Sequence, residues 1–109
     1  MIIKDKTYEE MKGIMKYIGK IYKRAKKRVD VLHFNNCIEE NWPVYDNDTQ
    51  LIHLIDRTLL DCSNDTKNII RHDYLQLSNP HWYESYYSRS SYYRLKKKAI
   101  EEFLGSLNI

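Results

Sequence analysis

Near the C-terminus, Arg89, Ser90, Ser91, Tyr93, Arg94, Lys96 and Lys97 bring together side chains suited to duplex DNA. An arginine guanidinium pairs bidentately with guanine O6 and N7, whereas lysine ammoniums and hydroxyls suit phosphate oxygens. Tyr92, Leu95, Ala99 and Phe103 are spaced as one helical face; if they turn inward, Arg89, Ser90, Tyr93, Arg94, Lys96 and Lys97 turn outward together. The same residues also fit a terminal amphipathic helix whose Lys96-Lys97-Lys98 run is merely solvated.

Other constellations are thinner. His33 and Cys37 have the i, i+4 spacing of a zinc-binding pair, but His53 and Cys62, nine residues apart, do not supply a second pair, so no metal and no cofactor are expected. His72 beside Asp73 and His81 beside Trp82 lack a nucleophile at a recognisable spacing, and no glycine-rich phosphate loop is present. Catalysis is not expected. Tyrosines interleaved with cations from Tyr83 to Tyr93 could stack unpaired bases, as in single-strand binders, although packing between helices would bury several of those rings.

Helices must position these groups. Thr7 and Glu10 have capping-box spacing, and Met11, Ile14, Ile18, Ile21 and Ala25 then draw an apolar seam along a helix expected to end near Arg28. Lys12, Lys16, Lys20, Lys23 and Lys27 mark its other face, either as plain solvated surface or as a row contacting phosphates or a partner. Val31, Phe34, Cys37 and Ile38 suggest a short helix over 30–41, stopped by Trp42 and Pro43. Asn47, Asp48 and Thr49 offer caps to a central core helix carrying Leu51, Ile52, Leu54, Ile55, Leu59 and Leu60. Ser63 caps a helix through Ile69, Ile70, Tyr74 and Leu77. Asn79 and Pro80 open a short helix to about Tyr86 holding Trp82, Tyr83 and Tyr86, and Ser88 caps the last helix, over about 89–104.

With 109 residues, three glycines and two prolines, the chain reads as one all-α domain of five to six helices. Charged residues at 30% against 42% hydrophobic give a globular balance. No apolar stretch reaches membrane-span length and the N-terminus lacks a signal-peptide core, so a cytoplasmic protein with two free thiols, Cys37 and Cys62, is expected. Charge is segregated: ten Lys/Arg stand against three acids in residues 1–28, one against eight in 29–66, and seven against four in 67–109. Such segregation can present a basic face to a polyanion, or simply let an acidic middle neutralise basic ends.

SRSSYYRLKKKAIEEFL at 88–104, within the stretch from Asp61 to Leu107, resembles the sigma-factor region 4 helix-turn-helix. It is similar, more narrowly, to ArpU/RinA-type late transcriptional regulators of low-GC phages and related small mycoplasma proteins. The resemblance implies a C-terminal helix-turn-helix over 61–109, N-terminal helices of unassigned role over 1–60, and a DNA-binding transcriptional regulator. It puts Arg89, Ser90, Tyr93 and Arg94 at base-reading positions, with Lys97 following on the same face. The chain departs from that pattern: where region 4 usually has a small residue, often Gly, in the turn and an Ile-Ala pair in the preceding helix, it has Trp82, Tyr83, Glu84, Ser85, Tyr86 and Tyr87. The alternative is a protein-interaction module that docks on RNA polymerase or forms a homodimer through the Met11 to Ala25 seam.

Overall fold

The computed structural model describes residues 6–34 and 43–108, with side chains over 6–30 and 47–108. Every regular element among them is helical: α1 (Tyr8–Phe34), α2 (Pro43–Leu60), α3 (Asn64–Ile70) and α4 (Arg89–Ser106), with a π turn at Arg71–Leu75 and a 3₁₀ turn at Trp82–Ser85. None of the described helices is long and apolar enough to cross a membrane.

The caps form where local chemistry places them. Thr7 and Glu10 close the capping box reciprocally, each backbone N–H donating to the other's side chain at 3.1 Å. Ser63 Oγ accepts from the Thr66 N–H at the start of α3, and Ser88 Oγ accepts from the Ser91 N–H at 3.2 Å at the start of α4.

Helix α1 continues past Arg28 to Phe34, into the region expected to hold a separate short helix. Residues 35–42, with Cys37, Ile38 and Trp42, lie outside the described residues, as does the side chain of His33, so the candidate zinc pair does too. The second helix begins at Pro43 and not at the Asn47-Asp48-Thr49 cap. A proline in the first helical turn loses no intrahelical hydrogen bond, and Asp48 has other work: its carboxylate takes a bidentate fork from Arg28 Nε at 2.7 Å and Nη2 at 2.8 Å. That pair and the bond from Tyr22 Oη to Asp56 at 2.8 Å align α1 and α2 antiparallel.

The core gathers Met15, Ile55, Leu59, Ile69, Ile70, Ile100, Phe103 and Leu104 at almost no exposure. Each contributes roughly 1.5–3 kcal/mol by leaving water. On α1 the buried seam is Met11, Met15, Ile18, Tyr22 and Ala25; Ile14 and Ile21 are only half-buried, so the helix is rotated from the expected seam. This chain's own α2, π turn and α4 pack on α1, and the seam is part of the intramolecular core. Ile52, Ile55 and Leu59 carry α2 into the core, whereas Leu54 is 55% and Leu60 66% exposed. Gly19, also buried, lets α1 approach the π turn so closely that a Cβ there would lie 3.1 Å from the carbonyl carbon of Tyr74.

Candidate nucleic-acid interface

The start of α4 is held from behind by one carboxylate. Asp73, on the π turn, accepts from Trp82 Nε1 at 2.8 Å, from the Tyr92 hydroxyl, and from Lys96 Nζ at 3.3 Å. Tyr83 stacks on Tyr92 with ring centroids 3.9 Å apart, and His72 stacks on Trp82 at 4.3 Å. Burial, and after it the bond to Asp73, holds the Tyr92 phenol well above the usual tyrosine range, so it stays a donor. The Tyr87 hydroxyl donates to Asp65 at 2.6 Å and ties the turn before α4 to α3.

Further along, Glu102 reaches back to the start of α3, accepting from Ser63 Oγ at 3.0 Å, the Ser63 N–H at 3.1 Å and Thr66 Oγ1 at 2.5 Å. Burial pushes the Glu102 carboxyl up, but these donors outweigh it and hold the group below the usual carboxylate range. Asp73 and Glu102 thus clamp α4 at two heights.

With α4 clamped, Arg89, Ser90, Arg94 and Lys97 are exposed and Tyr93 is 52% exposed, its ring meeting Tyr92 edge-on at 5.0 Å. Ser91 is half-buried. Lys96 departs from the outward set, because its side chain is only 20% exposed and its ammonium sits between Asp73 and the rings of Tyr74 and Tyr92. Lys98, not singled out from the sequence, is exposed. An open groove of about 550 Å³ runs beside this face, lined by His81, Tyr83, Tyr87, Arg89, Tyr92 and Tyr93 among others.

Before α4 the backbone makes a single 3₁₀ turn, Trp82–Ser85, where a short helix from Pro80 to Tyr86 was expected. Asn79 does not cap it: its Oδ1 accepts from the His81 N–H at 2.8 Å, one residue ahead of the turn, whose N-cap His81 makes no side-chain cap bond, and the aromatic side chains diverge, with Tyr83 buried, Trp82 half-buried and Tyr86 69% exposed. Asp73 and Glu102 escaped the sequence reading because each acts on residues 9 to 39 positions away, which no local spacing encodes.

No group of three or more metal-ligating side chains occurs among the described residues. Cys62 is a buried free thiol, held above the usual range first by burial and next by the Glu102 charge. No protein-family model, curated protein or solved structure matches the chain.

Proposed function

We propose that the protein binds duplex DNA as a transcription regulator, reading it through the first three turns of α4. One observation carries the reading: Arg89, Ser90, Tyr93, Arg94 and Lys97 lie exposed at the start of a helix whose opposite side is clamped by Asp73. A guanidinium on a fixed helix can present its donor fork to a base edge with little further ordering. Arg94 is the base reader in this scheme, Arg89 assists it, and Ser90, Tyr93 and Lys97 hold phosphates. Lys96 takes no part, since its charge is matched inside the fold.

The test is an anisotropy titration on a selected operator and on random duplexes across a salt series. Arg94→Ala should cost about 1–3 kcal/mol on the preferred site and relax its specificity. Lys97→Ala should weaken all duplexes alike, and neither should lower the Tm. Leu54, Leu60 and the 92% exposed Leu77 favour a second reading, docking on a protein such as RNA polymerase. Full DNA affinity in both variants together with lost polymerase association would establish that alternative.

A further inference from the structure

We propose that the lysine row of α1 continues the α4 surface into a single cationic track for one duplex backbone, an inference that rests on α4 contacting DNA. The two rows meet at Tyr8. Lys12 Nζ lies 4.8 Å and Lys97 Nζ 5.9 Å from the centroid of that one ring, so the base-reading helix and the lysine row converge on a shared side chain. From there Lys16, Lys20, Lys23, Arg24 and Lys27 are all exposed and line one open depression.

Adjacency to the rest of the molecule agrees. Lys23 and Lys27 also line a groove with Leu75, Gln76 and Leu77, which keeps the row on the side of α1 that faces the segment leading to α4. None of the five cations beyond Lys12 pairs with a carboxylate among the described residues, whereas Lys12 bridges Glu9 at 2.9 Å and Arg28 is taken by Asp48. A row of unmatched like charges on one rigid helix raises its own electrostatic energy, and a polyanion relieves that repulsion.

The dimensions fit duplex nucleic acid. At 1.5 Å per residue the span from Lys12 to Lys27 is about 22 Å, and steps of three and four residues set successive cations roughly 4.5–6 Å apart along the axis. A duplex offers one phosphate per 3.4 Å on each strand, so the track covers about six base pairs beyond those met by α4. The row adds affinity without sequence preference, while Arg94 supplies the preference.

Salt-dependent binding of the full chain to duplex DNA tests this, comparing Lys16→Gln/Lys20→Gln/Lys23→Gln/Lys27→Gln with Arg89→Ala/Arg94→Ala. Four lost phosphate contacts should make the slope of log affinity against log salt shallower by about 3.6, with operator preference over random duplex kept. Each half-variant, at 16 and 20 or at 23 and 27, should give about half of that, and the four Lys→Arg replacements should restore the slope. Unchanged Tm and helical circular dichroism identify the loss as one of charge and not of fold. An unaltered slope in the Gln variant, with binding still weakened by the arginine variant, overturns the track and leaves the α4 reading standing. No duplex binding by the unsubstituted protein overturns the α4 reading and the track with it. If the Gln variant loses binding to phosphatidylserine vesicles while keeping its DNA slope, the row serves a membrane surface and the track is wrong.

Discussion

Two glycines on the same helix should answer the same substitution with opposite signs. Gly13 and Gly19 both lie in α1, so Ala at either removes the same backbone freedom from the unfolded chain and gains about 1 kcal/mol of intrinsic helix propensity. At Gly13 the added methyl meets nothing within 4 Å, and the full gain should appear. At Gly19 it would stand 3.1 Å from the Tyr74 carbonyl carbon, 3.2 Å from Tyr74 Cβ and closer still to the carbonyl oxygen. Two of those atoms are backbone, so no rotamer change relieves the contact and α1 must retreat from the π turn by about 1 Å in a close-packed interior.

Overpacking of this kind costs about 1–3 kcal/mol before strain spreads, and a backbone obstacle places it at the upper end. Subtracting the propensity gain leaves Gly19→Ala destabilised by about 2 kcal/mol and Gly13→Ala stabilised by up to about 1. At roughly 5 °C per kcal/mol for a domain of this size, the two Tm values should separate by about 15 °C. Urea denaturation of both variants beside the parent is the assay, with equal m-values required before the midpoints are compared. A stabilised Gly19→Ala variant would refute the close approach of α1 to the π turn that carries Asp73.

Asp73→Ala should cost about 3 kcal/mol in urea, because it strands the Tyr92 hydroxyl, the Trp82 indole and the half-buried Lys96 ammonium at once; Asp73→Asn, which keeps an acceptor, should cost less. The Glu102 and Asp48 carboxyls both sit below their ordinary values of 4.5 and 3.8 in the fold, so the stability they contribute is complete above those values and drains away as pH falls through the lower folded ones. The Tm should therefore fall steeply between about pH 5 and pH 3, and Glu102→Gln, with less to lose, should flatten that decline while lowering the plateau at neutral pH.

What could be read from the sequence was whatever is settled within one turn of chain. The Thr7–Glu10 box and the Ser63 and Ser88 caps involve partners three residues apart, and all three form. The rotation of α1 was not legible, because its apolar residues surround more than one face. Met15 and Tyr22 displaced Ile14 and Ile21 from the seam once α2 supplied Asp56 for the Tyr22 hydroxyl. Leu54 and Leu60 counted as core by type, yet only the Ile52, Ile55, Leu59 side of α2 meets α1 and α3. The start of α2 was misplaced because Asp48 resembles a cap in isolation, and only the fold brings Arg28 to it.

The lysine run at 96–98 shows why composition alone misstates an exposed face. Consecutive side chains on a helix point about 100° apart, so three lysines in a row cannot form one surface. Here the division is decided by Asp73, which draws Lys96 inward four residues, about one helical turn, after Tyr92 and leaves Lys97 and Lys98 to solvent. Rotating α4 by one residue would bring Lys97 toward Asp73, break the Tyr92 contact and pull Glu102 away from Ser63 and Thr66, a loss at both clamps together. The face of α4 that carries Arg89 and Arg94 is therefore set by the fold, and under the proposed DNA reading the ordering entropy left to binding is mainly that of the two arginine side chains themselves.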